Sequence, residues 1–413
     1  MPMRRVVITG MGAVSPFGKG IKVLEESLMD GKSGIVSYPE LEAAGSTGSR
    51  VAGIVHNIDP AEIPRKHRRS MSLMSIYSVI ACREALEMGQ VPVESLGEEG
   101  MGLVIGSTIN SINTFEDFFK TYLIQKNMGE TRSTLFFKLM NHSCAFNVSQ
   151  ALGIKGRVIA PSAACSTGCQ AVGIGYETIA FGKQDCMLCG GSDEYHPLTT
   201  MSFDLIKAAS TGYNSTPSRT PRPFDRDRDG IVCSEGCGIL LLESMESAKK
   251  RGAEILGEIV GFATTSNPTN IADPSAESMV DCMKKALSDG KIKPGDVDYV
   301  NAHATGTVQG DIEEINAIYE VFGGDVPVSS LKGHLGHTLA ASGSLELIAT
   351  ISMIRKKIVI PTLNLENIDD LCKKVNLAQN VGERRIEYAL KNNFALGGVN
   401  SSLILRSFEN DKQ

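Results

Sequence analysis

Tryptophan is absent from the 413 residues, and no apolar run approaches the ~20 residues needed to span a bilayer. A membrane-spanning protein is therefore not expected. Basic residues are not in excess either: 41 Lys and Arg against 47 Asp and Glu give a net charge of −6, which gives no support for nucleic-acid binding. No linker or low-complexity stretch interrupts the alternation of strand-like and helix-like patterns, which predicts an α/β protein. Met1 to Arg5 run directly into the strand-like Val6 to Thr9 without the pattern of a cleavable leader. Ten cysteines in such a chain fit a reducing compartment, so a soluble cytoplasmic protein is expected. Two apparent cofactor signals are also incomplete. Gly10-Met11-Gly12 opens like a dinucleotide loop, but Ser15 stands where the third glycine belongs. Cys186 and Cys189 have a redox or metal spacing, yet they continue a buried-strand pattern with no second Cys/His pair nearby, so no metal is expected.

What the chain does contain is a cysteine at a strand-to-helix turn. Pro161-Ser162-Ala163-Ala164-Cys165-Ser166-Thr167-Gly168 follows the strand-like Val158 to Ala160 and precedes a helical pattern from Gln170 to Phe181. Free N–H groups and the positive end of the helix dipole at that turn predict a thiolate, and the small flanking residues admit a substrate carbonyl. Taken alone, such a cysteine is more often an inert buried residue. Two histidines alter that balance. His303 lies in Asn301-Ala302-His303-Ala304-Thr305-Gly306-Thr307 after an apolar strand-like run, and His337 lies in Lys332-Gly333-His334-Leu335-Gly336-His337 before an apolar helix. Both sit at element ends, where side chains converge on a cleft. Asn392-Asn393-Phe394-Ala395-Leu396-Gly397-Gly398-Val399-Asn400 adds a glycine-rich turn whose N–H groups could face an oxyanion.

These segments, with Arg5 to Gly12, Pro223 to Gly230 and Val328-Ser329-Ser330, resemble the elongating type II β-ketoacyl-acyl carrier protein synthases of the thiolase superfamily nearly end to end. The resemblance implies a five-layered α-β-α-β-α fold of two duplicated halves, 1–251 carrying the cysteine and 252–413 carrying both histidines. It implies that Cys165 accepts an acyl chain, that His303 and His337 support decarboxylation of a malonyl thioester, and that the N–H groups of Cys165 and Leu396 form the oxyanion hole. Lys332 and Glu346 are a charged pair read either as direct participants or as an ordinary ion pair. Thr305 and Thr307 match positions that hold the phosphopantetheine arm, or else simply cap the helix carrying Asp311. Leu396, Phe394, Phe203 and Thr108 complete the expected substrate contacts. No resident cofactor is implied, because the substrate arrives on the carrier's own phosphopantetheine.

Partners follow from the same resemblance. Arg65, Lys66, His67, Arg68 and Arg69 form a basic cluster in an acidic chain, before the helical run through Met71, Met74 and Val79. Cations oppose the dipole at a helix start, so docking of an acidic acyl carrier protein by Arg65, Arg68 and Arg69, with Lys207 as a weaker candidate, is expected. A homodimer is implied, with Phe136 and Phe137 near a partner that closes the acyl pocket; a heterodimer is the alternative. Leu396 stands where fatty-acid elongating members carry a gating phenylalanine, and His334 where the residue is usually apolar or small. The pathway is thus open between fatty acid synthesis and a type II polyketide or polyene route. Retention of Cys165 and both histidines argues against a silent chain-length partner subunit, and a Cys/His/His set is wrong for a degradative thiolase.

Overall fold

The computed structural model describes residues 3–45, 48–97, 101–129, 131–269, 271 and 273–409. The first half is built from β1 (Val6–Ser15), α1 (Leu73–Met88), β2 (Met101–Gly106), α2 (Ser143–Leu152), β3 (Val158–Ile159), α3 (Thr167–Ala180), β4 (Cys186–Asp193) and β5 (Gly236–Ser244). The second half follows with β6 (Gly257–Ser266), α4 (Ala276–Gly290), β7 (Tyr299–Asn301), α5 (Val308–Phe322), β8 (Pro327–Ser329), α6 (Ala340–Lys356), β9 (Asn376–Leu377), β10 (Tyr388–Phe394) and β11 (Val399–Arg406).

These eleven strands lie in one sheet, in the order β9-β8-β7-β10-β11-β6-β1-β5-β4-β2-β3, with Gly18–Lys19 pairing β1 off this path. Read outward from the β1/β6 junction, each half repeats the same pattern: antiparallel, antiparallel, parallel, parallel. The duplication that residue identity does not reveal is thus carried by strand order and direction. At the junction only Val6 to Ile8 pair with Gly257 to Ile259, and the central helices α3 and α6 each touch strands of both halves as well as each other. Helices α1 and α2 cover the outer face of the first half, and α4 and α5 that of the second. The layers run α-β-α-β-α.

Strands buried on both faces must be apolar at consecutive positions. In β5, Leu240 and Leu242 join the shared central core, while Ile239 and Leu241 face the outer one. The same alternation separates Cys189 from Cys186. Their three-residue spacing puts the two thiols on opposite faces of β4, where they cannot share an ion. The glycines of Gly10-Met11-Gly12 likewise have a packing role, since a Cβ at Gly10 or Gly12 would lie 2.0 or 1.9 Å from the carbonyl oxygen of Ala85 or Ala81 on α1. Closest approach also governs the central layer. A Cβ on Gly168 would meet the Ala340 carbonyl at 2.4 Å, and one on Gly343 the Cys169 nitrogen at 2.3 Å. Backbone therefore meets backbone where α3 and α6 begin, and the residues just before the two helices are brought together.

No helix among the described residues is long and apolar enough to cross a membrane.

Candidate active site

Cys165 sits in a single tight turn between β3 and α3, held by a left-handed Ala164 (φ 46°). Such a conformation is uncommon for a residue with a side chain and is found where a fold over-determines a site. The turn is clamped across the molecule. Ser166 Oγ lies 2.9 and 2.8 Å from the carbonyls of Asn393 and Val399, and Asn393 Nδ2 donates to the Cys165 carbonyl at 3.2 Å.

The clamp carries Cys165 to the two histidines. The Cys165 sulfur and a ring nitrogen of each of His303 and His337 all lie within 4.8 Å of one another, with the rings 5.3 Å apart and nearly perpendicular. Leu339 N–H donates to His337 Nδ1 at 3.2 Å. In the neutral ring the proton then resides on Nε2, which is buried without a partner among the described residues. Leu339 holds this geometry with φ at 52°. Asn393 Nδ2 stands 3.5 Å from His303 Nδ1, which assigns the free proton of that ring to Nε2 in the same way. Burial, then the charge of Lys332, hold both imidazoles well below their ordinary range, so each is neutral and presents one N–H. A metal ligand needs a free ring lone pair; that of His337 lies on Nδ1 and is taken up by Leu339 N–H.

The cysteine departs from the expected thiolate. Burial pushes its thiol up to about 11, against the opposing effects of Lys332 and of the N–H groups of Leu396 and Cys165 itself, both of which reach the sulfur. The helix-start donors are present, but removal from water outweighs them. In the glycine-rich turn only Leu396 aims its N–H at the site, because Gly397 N–H donates to Ile271 and Gly398 N–H to Ala395.

Behind the histidines lies a charged cluster that the sequence only half revealed. Lys332 Nζ donates to Glu346 Oε1 at 2.8 Å as expected, and Lys391 Nζ reaches Glu346 Oε2 at 2.5 Å. All three are buried. Burial disfavours charge on Glu346, yet the two ammonium groups outweigh it and keep the carboxylate below its usual range. Glu314 receives the N–H groups of His303 and Ala304 at 2.8 and 2.6 Å, fixing the loop that carries His303. Lys391, Glu314 and Asn393 were not singled out from sequence; a lysine in the apolar run Tyr388 to Phe394 was the available signal.

A cavity of about 460 Å³ leads from Cys165, His303 and His337 past Thr305, Thr307, Phe394, Leu396 and Phe203. Thr307 Oγ1 makes no cap hydrogen bond to α5 and instead pairs with Thr305 Oγ1 at 3.1 Å, so capping does not account for it. The Pro223 to Gly230 motif supports this wall. Asp311 accepts from the N–H groups of Phe224 and Gly306 at 2.8 and 3.1 Å, and Arg228 bonds Asp369 at 2.7 Å. Thr108 lies elsewhere. Its hydroxyl reaches the Ala164 carbonyl at 3.5 Å, its N–H donates to Asp193 at 3.0 Å, and it lines a second cavity on the other side of the cysteine turn. His334 is buried with its ring nitrogens 3.1 Å from the carbonyls of Lys32 and Pro361, and so ties two loops together.

The basic cluster differs from expectation. Arg65–Arg68 is a separate helical turn, and α1 starts later, after Ser72, so the cations do not oppose its dipole. Among the described residues no carboxylate pairs with Arg65, Lys66, Arg68 or Arg69, and none of these lines the cavity, whereas Lys207 does.

Residues 3–248 match the Beta-ketoacyl synthase, N-terminal domain, and residues 256–366 the Beta-ketoacyl synthase, C-terminal domain. The chain belongs to the β-ketoacyl synthase family. Among relatives of this synthase, the 3-oxoacyl-[acyl-carrier-protein] synthase 1 of Buchnera aphidicola is 36% identical, covering 98% of this chain and 100% of its own. A β-ketoacyl synthase structure from Burkholderia phymatum superposes with a TM-score of 0.95 at 40% identity, over 98% of this chain and 100% of that one. AntDE:AntF, a type II PKS acyl-carrier protein in complex with its ketosynthase bound to the hexaketide, gives a TM-score of 0.90 at 32% identity, over 99% and 100% of the two chains.

Proposed function

We propose that this β-ketoacyl synthase extends an acyl chain held on Cys165 by decarboxylative Claisen condensation with malonyl-acyl carrier protein, giving a 3-oxoacyl-acyl carrier protein in fatty acid biosynthesis. The observation that carries this reading is the meeting of one thiol and two neutral imidazoles within 4.8 Å at the end of one cavity. In the first step Cys165 attacks the acyl thioester, the carbon–sulfur bond to the phosphopantetheine arm breaks, and the thiol proton leaves with that arm. Malonyl-carrier protein then loses carbon dioxide. The released electron pair forms an enolate whose oxygen accepts from Nε2–H of His303 and His337. The new carbanion attacks the acyl carbonyl, its oxyanion meets the N–H groups of Cys165 and Leu396, and Cys165 is expelled and takes up a proton.

Neutral histidines suit this sequence because each offers a donor without adding a charge for the enolate to neutralise. Lys332 supplies positive charge near the sulfur, balanced from behind by Glu346. Thr305 and Thr307 are the hydroxyls for the pantetheine arm, and Phe203 and Phe394 flank its path. No resident cofactor or metal is needed. Lys207 at the cavity wall and the unpaired Arg65, Arg68 and Arg69 would meet an acidic carrier protein. Exposed Ile109, Phe119, Tyr122, Leu123, Phe136, Phe137 and Leu198 form the apolar surface for a second copy of the chain. The two halves, 1–251 and 252–413, would then divide nucleophile from donors in each protomer.

A second reading, ketosynthase of a type II polyketide or polyene pathway, is favoured by the likeness to AntDE and by Leu396 in place of a bulky gate.

Intact-mass measurement after incubation with acyl-carrier protein tests the assignment. One acyl group is expected on the wild type and none on Cys165→Ala; an adduct persisting in that variant would overturn it.

A further inference from the structure

The second cavity is lined by a residue whose buried side-chain amide has no hydrogen-bond partner among the described residues. Its wall reaches the nucleophile's turn through Ser162, whose hydroxyl donates to the Thr108 carbonyl at 3.1 Å, and through Thr108, which touches Ala164. Ile109, Ile112, Phe115, Phe119, Leu198 and Met201 make much of the rest apolar. Other polar side chains in that wall, Asn113 and His196 among them, have partners. Asn113 donates to Glu194 at 2.9 Å and to the Tyr195 carbonyl at 3.1 Å, and His196 pairs with Glu116 at 3.0 Å.

Asn110 differs from these. It is 3% exposed, and neither Nδ2 nor Oδ1 has a hydrogen-bond partner among the described residues. Its backbone is left-handed, φ 72°. Asparagine tolerates that conformation, but glycine would meet the backbone demand equally well and leave no amide in an apolar wall. Buried polar groups without partners are costly, and such a group in a cavity points to a missing ligand atom.

We propose that Asn110 is a specificity residue: the acyl chain entering this cavity from Cys165 bears a hydrogen-bonding oxygen, a hydroxyl or a ketone, that meets the Asn110 amide. The inference rests on the condensation reading and narrows its substrate from any acyl chain to an oxygenated one. A saturated alkyl chain would leave the amide unmatched, and sites built to hydrogen-bond a substrate group discriminate strongly against analogues lacking it.

The test uses acyl-carrier protein thioesters of equal chain length, one saturated and others with a hydroxyl or ketone moved carbon by carbon along the chain, competing for the full-length protein. At the matching position wild type should favour the oxygenated chain by about tenfold or more in kcat/KM. Asn110→Gly removes the amide without backbone strain and should bring that ratio close to one. Asn110→Asp keeps an acceptor and should retain preference for the hydroxyl while losing it for the ketone. A wild-type preference for the saturated chain, or a ratio unmoved in Asn110→Gly, overturns the proposal. So does a dimer that dissociates on that substitution in sedimentation, since a second copy would then be what matches the amide. Failure of every thioester to label Cys165 would remove the condensation reading as well; an active enzyme with an unmoved ratio removes this inference alone.

Discussion

The two halves place different chemistry at equivalent positions. Cys165 precedes α3, and His337 precedes α6, the corresponding helix of the second half. Thr108 follows β2, and His303 follows the corresponding strand β7. The connection after β4 runs from residue 194 to 235 and supplies part of the second cavity, whereas the one after β10 runs only from 395 to 398 and presents Leu396 N–H to the sulfur. Duplication thus supplies converging element ends, and the residue at each end decides its use. The first half holds the thiol and lines the second cavity. The second holds the two imidazoles and a buried charged cluster.

This division can be broken most severely at Cys165. Cys165→Gln should reduce condensation to background while carbon dioxide release from malonyl-carrier protein, a second-half task, persists; absence of release in that variant would mean the tasks are not separable. The charged cluster comes next. Glu346→Gln leaves Lys332 and Lys391 facing each other without their counter-charge, and loss of one member of a buried ion pair costs about 3–5 kcal/mol, readable as a large fall in the denaturation midpoint. An unchanged midpoint would show that the lysines are satisfied elsewhere.

Substitution of either histidine probes the donors individually. His303→Ala or His337→Ala should slow decarboxylation by roughly 30- to 1,000-fold, corresponding to ~2–4 kcal/mol, while acyl transfer to Cys165 retains a measurable rate. Near-normal decarboxylation would assign that histidine to structure alone. Protonation gives a smaller, graded effect. With the thiol held near 11 and the unfolded reference lower, the thiolate fraction and hence alkylation of Cys165 should rise about tenfold per pH unit from neutrality to about pH 10. The histidines, held well below their ordinary range, should impose no loss of activity on slight acidification to about pH 6. A plateau of alkylation near neutrality would mean that a base ionises the thiol. The smallest effect is expected at the surface. Charge reversal at Arg68 and Arg69 should raise KM for acyl-carrier protein and weaken its salt dependence, with turnover at saturation and use of a small acyl-pantetheine nearly unchanged.

The residues that meet at the site were legible in the sequence because each stands in a short motif at an element end, where few residue types meet the backbone demand. Cys165, His303, His337 and the Lys332–Glu346 pair fall in this class. What was not legible depends on burial. The thiolate expected from the helix start becomes a thiol because the turn lies 6% exposed beneath the second half, a long-range consequence absent from the motif. Lys391 escaped notice because its partner Glu346 is remote in sequence and lies on a helix of the central layer. The basic cluster does lie ahead of the long helix, but as a helical turn of its own, Arg65–Arg68, set off from the Ser72 cap, so the expected conflict with the helix dipole does not arise. Asn110 carried no sequence signal, because an unmatched amide is defined only by what surrounds it.

The glycine contacts between α3 and α6 have a mechanical meaning. With main chain against main chain at Gly168 and Gly343, no side chain separates the starts of the two helices, so a shear of the halves there would drive backbone into backbone beside the thiol and imidazoles. Conformational travel must then belong to the tethered substrate, delivered on its long arm, and to the peripheral loops. Transplanting one half from a relative would have to preserve this crossing to within a few tenths of an ångström, making the catalytic seam the least modular part of a molecule whose architecture is visibly repeated.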